Sequence, residues 1–246
     1  MEQFFQSVFS GLLNIFSYIY DQFYQSLIED NRYQYILDGL KNTVVITIFA
    51  VLLGVVIGTI IALVRVQHTN DPHKLRIANG ICTLYLTIIR GTPVLVQLMI
   101  MYYVIIGTAN IDMTTTAIFA FGINSGAYVA EVIRSGIQSV DRGQMEAGRS
   151  LGLSEQMTMR KIVLPQALKN VLPAIGNEFI ALLKETSVAG YIGIQDLTKA
   201  GDIIRSRTYQ AFFPLILTAV IYLVIVIGLS VLLSKFERRL HRSDNR

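Results

Sequence analysis

The 246-residue chain has a single cysteine, Cys82, so no internal disulfide can form and an unreactive thiol is expected. It has three histidines, His68, His73 and His241, none at metal-ligand spacing, so no metal site is expected. No Gly-x-x-x-x-Gly-Lys-Ser/Thr phosphate loop occurs, so the chain is expected not to hydrolyse ATP and to hold no cofactor of its own. Energy for any work must then come from a partner or from an ion gradient. Charge is scarce as well: 15% of residues are charged against 52% hydrophobic, and the mean hydropathy is +0.50. That balance fits a bilayer as solvent rather than water. Glu2 follows Met1 where a signal peptide would carry basic residues, and no small-residue cleavage site follows, so a removed leader is not expected. No internal duplication is visible, and no nucleic-acid partner is expected.

What the chain does have is apolar length. A hydrocarbon core of about 30 Å needs roughly 20 residues of helix. Leu40 to Val64, Ile81 to Ile106 and Phe212 to Leu233 meet that need outright. Met113 to Ile133 and Gln166 to Ile192 are long enough but interrupted by Asn, Ser, Glu and Lys, which points to helices facing protein or a polar path. The reading is an all-α integral membrane protein with about five transmembrane helices. Residues 1–34, aromatic but broken by Gln, Ser, Asn and Asp21, read as a helix lying on the membrane surface, with a sixth span as the alternative.

Basic residues set the orientation. Arg65 to Gly80, Arg134 to Lys169 and the tail after Ser234 collect Lys and Arg on one side of a five-span arrangement, which the positive-inside bias makes cytoplasmic. The N-terminus is then outside and the C-terminus inside, with 236–246 a basic cytoplasmic tail. Lys199, Arg205 and Arg207 in the loop Tyr191 to Tyr209 run against that bias.

Between the third and fourth spans lies a cytoplasmic loop of about thirty residues, longer than a simple connection requires. "GQMEAGRSLG" predicts a short helix ending at Gly152 as the left-handed residue after the C-cap. Ser154 is the predicted N-cap of a second helix through Leu164, with Pro165 ending it or starting the next.

These residues carry a resemblance. Glu146-Ala147-Gly148, then Gly152, Ile162 and Leu164-Pro165 match the spacing of the EAA signature of ATP-binding-cassette importer permeases, with Gly148 where a second Ala is usual. "RGTPVLVQ", "NSGAYVAEVIRSGIQSV" and "LPQALKNVLPAIGNEFIALLKETS" resemble the polar amino-acid branch of that family, the glutamine, histidine and arginine permeases; the likeness covers about 35–235. It implies a type I importer in the bacterial cytoplasmic membrane. Its partners would be a second permease subunit, identical or related, and an ATPase dimer that binds ATP and Mg. An extracytoplasmic binding protein, a small amino-acid substrate and surrounding lipid complete the set. The helix at about Gly143 to Leu151 would be the coupling helix, with Glu146, Ala147, Gly148, Arg149 and Gly152 forming or shaping the ATPase contact. Arg205 and Arg207 would face the binding protein.

Candidates for the substrate path are the polar residues within spans: Asn124, Ser125 and Glu131 on the third, Asn177, Glu178 and Thr186 on the fourth, and Arg90 on the second. Each has a second reading. Glu178 binds an ammonium or bonds to Asn177 or a neighbouring helix. Glu131 and Arg134 contact substrate or pair with each other at i, i+3. Arg90 attracts a carboxylate or bonds to backbone freed by Gly91-Thr92-Pro93. The acidic pair Glu131 and Glu178, without a matching midplane base, favours a basic or neutral polar amino acid. Gly54-xxx-Gly58 and Gly122-xxx-Gly126 predict close helix approach. The competing class is an ion-gradient-driven amino-acid transporter using Glu131 or Glu178 as proton carrier, which has no need of the long loop.

Overall fold

The computed structural model describes residues 1–107 and 109–241, and the side chains of all of these but 2–9, 12, 15 and 241. Helix α1, Glu2–Phe23, passes through a π turn, Tyr24–Ile28, into a single 3-10 turn, Glu29–Asn31, where Asp30 and Asn31 take positive φ of 53° and 55°. Short polar side chains tolerate that conformation. Arg32 pins the corner by bonding Gln25's carbonyl, Glu29 at 3.0 Å and Asp30 at 2.8 Å.

No proline interrupts the next stretch, and α2 runs unbroken through Tyr33–Asn70. At 1.5 Å per residue it is about 57 Å long, well beyond the Leu40 to Val64 core expected of it. Arg65, expected in the loop, therefore lies inside the helix. Asp71, extended before Pro72, stops it.

The span expected at Ile81 to Ile106 is built of two pieces, α3 (Arg76–Gly91) and α4 (Val94–Ile100), the latter continued by a π turn, Met101–Ile105. The pieces meet at 108°. The break is local: Gly91 has no Cβ, Pro93 lacks an N–H, and Thr92 is forced extended ahead of it at φ −123°, ψ 148°.

Asp112 caps α5, Met113–Gln138, by accepting from the Thr115 N–H at 2.9 Å. Then follow α6 (Arg142–Ser150), α7 (Glu155–Thr158), a π turn (Met159–Val163), α8 (Leu164–Glu185), a 3-10 segment (Thr186–Ile192), α9 (Leu197–Thr208) and α10 (Phe212–His241). The loop expected at Tyr191 to Tyr209 thus contains a helix whose Leu197, Ala200 and Ile204 are fully buried. Of the basic tail, Lys235, Arg238 and Arg239 belong to α10, while 242–246 lie outside the described residues.

Among the described residues α2, α5 and α10 are each long and apolar enough to cross a membrane, and α3 with α4 makes a fourth if counted as one span. The 22 residues of α8 suffice in length but carry Lys169, Asn170, Asn177, Glu178, Lys184 and Glu185. Helix direction shows how α8 fits among them. A Cβ on Gly54 would lie 2.9 Å from Ser125, and one on Gly58 2.8 Å from the backbone N of Ala130, so α2 and α5 run parallel with their backbones almost touching. Parallel neighbours require the intervening α3–α4 to cross back. Gly136 abuts Val171 and Ser125 bonds Glu178, which makes α8 antiparallel to α5; the start of α10 meets α9, where Gly201 abuts Thr218, and its later part meets the middle of α8, where Gly176 abuts Leu233, which reverses α10 again. The start of α2 and the end of α10 therefore lie at opposite ends of the bundle.

Burial orders the layers. In its most apolar stretch α5 is 61% buried, α2 39% and α10 6%. The core is the contact of α2 with α5, where Ile46, Ala50 and Val51 meet Ala117, Ala120 and Phe121, sealed by Leu98 of α4 and Leu182 of α8.

Candidate functional site

Successive residues of a helix point 100° apart, so neighbours in sequence face different partners. Asn124 and Ser125 illustrate the point. Ser125, fully buried, donates to Glu178 Oε1 of α8 at 2.9 Å. Asn124 turns to the other side, where its Nδ2 donates to Gln97 Oε1 at 2.9 Å. Seven residues on, Glu131 shares the Asn124 side of α5. Most of the polar path candidates thus form two groups, on different flanks of α5.

On the first flank Glu131 is a hub. Its Oε2 accepts from Arg65 Nη1 of α2 at 3.1 Å, and its Oε1 from Arg134 Nε at 2.8 Å. Arg90 of α3 stands 3.9 Å from Oε2 and lies over the Tyr128 ring, 5.6 Å from its centroid. The i, i+3 pair expected between Glu131 and Arg134 is present, but the carboxylate also joins α2, whose Arg65 is 66 positions away in sequence. The freed backbone at the elbow belongs to Gln97, not Arg90. The Gln97 amide nitrogen lies 2.7 Å from the Ile89 carbonyl, 3.1 Å from that of Thr92 and 2.8 Å from Thr92 Oγ1, while its oxygen holds Asn124. Gln97 was missed in the sequence, although a proline inside a span always leaves carbonyls a nearby amide can serve.

On the second flank Glu178 is bonded to the neighbouring helix through Ser125, and Asn177 beside it is exposed. Thr186 does not join either group; it is buried and donates to the Leu183 carbonyl of its own chain turn at 2.8 Å.

At the α6 end, Asp141 caps the helix by accepting from the Gly143 N–H at 2.7 Å. At its other end the Gly152 N–H donates to the Arg149 carbonyl at 2.9 Å and the Leu153 N–H to that of Gly148 at 3.1 Å, with Gly152 at φ 83°. This is the Schellman closure expected of a glycine just past a helix end. Ser154 caps α7 from the Met157 N–H at 3.3 Å, as expected, and Pro165 opens α8. A Cβ at Gly148 would stand 2.8 Å from Thr158 Oγ1 and 3.2 Å from Ile162 Cδ1, so α6 sits flush on the segment after it. Glu146, Ala147 and Arg149 are exposed.

At the opposite end Asp196 caps α9, accepting from the Thr198 and Lys199 N–H groups at 2.9 and 3.2 Å. Burial pushes its carboxyl up, against those bonds. On the exposed face Lys199 and Arg205 both bond Asp202, which holds that carboxyl below its ordinary range. Arg207 lies over the Tyr35 ring at 4.9 Å.

Among the described residues, three helices long and apolar enough to cross a membrane, a bent pair that can make a fourth, polar groups buried between helices and an exposed capped helix at α6 define a helical membrane protein. Residues 54–242 match the family of the binding-protein-dependent transport system inner membrane component, and the chain belongs to that family. It is 38% identical over 208 residues to a putative glutamine transport system permease protein of Rickettsia bellii, covering 84% of this chain and 93% of that one. To the arginine transport system permease protein of Bacillus subtilis it is 36% identical over 213 residues, 85% and 94% of the two chains. A crystal structure of an amino acid ABC transporter with histidines superposes with TM-score 0.78 at 45% identity, over 86% of this chain and 97% of that one. Inward-facing crystal structures of a methionine ABC transporter share the fold, with TM-score 0.70 at 22% identity, over 84% of this chain and 96% of that one.

Proposed function

We propose that this chain is the membrane-spanning subunit of an ATP-driven importer that brings a polar or basic amino acid across the bacterial cytoplasmic membrane, coupled to a separate ATPase through α6. The start of α2 and the face of α9 lie outside; α6 and the end of α10 lie in the cytoplasm. A second permease subunit completes the path, a binding protein delivers the amino acid at the α9 face, and the ATPase dimer binds ATP and Mg. The glutamine and arginine permeases among its relatives support this substrate class.

The observation that carries the reading is the build of α6. It is an exposed nine-residue helix closed at both ends by caps and seated on Thr158 and Ile162, and from Glu155 to Glu185 no non-helical residue follows that would absorb a displacement. Push it, and α8, with Glu178, moves as one piece.

The test is uptake of labelled L-glutamine and L-arginine into proteoliposomes holding the permease, its ATPase and its binding protein. Uptake should require ATP and persist when an ionophore collapses ion gradients. Collapse of uptake with the gradient would identify an ion-driven transporter instead. In the same assay Gly152→Trp should cut transport at least tenfold while the permease still inserts. Its φ of 83° disfavours any side chain by about 1 kcal/mol, and nothing lies within 4 Å to hold the ring away from the ATPase face. Full transport by an assembled Gly152→Trp complex would remove α6 from the coupling role.

The outer face makes a separate prediction. Arg205→Glu places a new carboxylate beside Asp202 and Arg207→Glu one at the Tyr35 ring, and the pair should lower binding-protein-stimulated ATPase activity severalfold more than basal activity. Equal stimulation in variant and parent would leave these arginines as solvated surface.

A further inference from the structure

Three guanidinium groups, from Arg65, Arg90 and Arg134, converge on the one carboxylate of Glu131, and they do so unequally. Each oxygen of Glu131 is already engaged, one by Arg134 and one by Arg65. Arg90 is left at 3.9 Å, too far for a hydrogen bond, and among the described residues it donates none. Its side chain is 45% exposed, against 27% and 25% for the other two. The Tyr128 ring, 5.6 Å from the guanidinium carbon, attracts the cation without supplying a carboxylate to it. The elbow around it is open, with Gly91, Thr92 and Pro93 exposed. It is also stiff, because Gln97 ties the carbonyl of Ile89, the residue before Arg90, to Asn124 of α5.

Such an arrangement is an unfinished ion network. Three guanidinium groups around one carboxylate leave the cluster net positive, a charge that a visiting anion would balance. The guanidinium edge is a planar two-pronged donor matched to a carboxylate. We propose that Arg90 receives the α-carboxylate of the transported amino acid, with Glu131 serving as the fixed counter-charge that holds Arg65 and Arg134 and prevents Arg90 from being neutralised from within. The assignment rests on the amino-acid importer reading above. It also divides labour across α5: the carboxylate end of the ligand is read on the Arg90 flank, and the Ser125–Glu178 flank is left for the ammonium or the side chain. With Glu131 held by Arg65 and Arg134, Arg90 supplies the cation for the carboxylate, so an amino acid is accepted as a zwitterion whatever its side chain.

The test is equilibrium binding to the permease–ATPase complex in nanodiscs, without binding protein, using two matched pairs: L-arginine with agmatine and L-glutamine with 4-aminobutanamide. The second member of each pair lacks only the carboxylate. The parent should bind at least one amino acid about tenfold or more tightly than its decarboxylated partner. Arg90→Gln should erase that ratio by weakening the amino acid alone, and Arg90→Lys should restore part of it. An Arg90→Gln complex that keeps the parental ratio overturns the assignment, as does one that loses affinity for both members alike, since that is the mark of a structural role. The measurement is repeated in phosphatidylcholine and in phosphatidylcholine with phosphatidylglycerol. An Arg90→Gln effect confined to the anionic discs assigns the arginine to a lipid phosphate and overturns the proposal. Parental ATP-driven uptake, measured alongside, judges the importer reading independently: if it fails for every amino acid, that reading falls. If it stands while Arg90→Gln leaves the ratio intact, only the carboxylate site falls.

Discussion

Gly58→Leu is expected to leave no assembled permease. A Cβ there meets the backbone N of Ala130 at 2.8 Å and Val129 Cβ at the same distance, and backbone cannot rotate out of the way as a side chain can. Restoring ordinary contact would push α2 off α5 along the seam that buries Ile46, Ala50 and Phe121, so the cost exceeds the roughly 1–3 kcal/mol of common overpacking. The control is Gly80→Leu on α3, where nothing lies within 4 Å of an added Cβ. Size-exclusion chromatography of the two variants in detergent should show a monodisperse peak for Gly80→Leu and none for Gly58→Leu. Equal yields would mean that the α2–α5 contact is looser than the geometry shows.

The second large effect is expected at Glu131. Glu131→Ala leaves three arginines facing one another with no carboxylate between them. Removing one partner of a largely buried ion pair costs about 3–5 kcal/mol, and the 25% exposure of the Glu131 side chain places this case toward the lower end of that range. Thermal unfolding of the complex should fall sharply for Glu131→Ala. It should recover in part when Arg65→Ala is added, because a cation that had lost its partner is then gone. A double-mutant cycle with no coupling between these two positions would show that Arg65 and Glu131 act independently.

How much of this was legible in the letters depends on whether one helix or two decided the outcome. Gly152, Ser154 and the extent of α6 were readable because caps are local: a left-handed glycine and a short hydroxyl side chain state their purpose within four residues. The seam of Gly54, Gly58, Gly122 and Gly126 was readable too, since small residues at i, i+4 leave few other uses in an apolar helix. The break at 91–93 carried its signal in Gly91 and Pro93, read as freed backbone within a span, but its angle was not legible. Nothing in composition distinguishes a tolerated kink from a 108° turn; that depends on whether an amide such as Gln97 is there to serve the freed carbonyls. The bond from Arg65 to Glu131 was not legible, because only the parallel packing of α2 on α5 brings those positions together. That Asn124 and Ser125 meet different helices was not legible for the simplest reason: adjacent letters lie 100° apart.

The π turn at Met159–Val163 has a consequence for phase rather than for length. An α-helix advances 100° per residue, so one extra residue taken up without an extra turn resets the rotational setting of everything upstream relative to everything downstream. The bearing of the exposed side of α6 around the axis of α8 therefore depends on that widened turn as well as on the seat of Gly148 against Thr158 and Ile162. A chain with the same residues in the two helices but an ordinary α turn between them would keep both caps and both faces, yet present Glu146 and Arg149 to a different quarter of the compass.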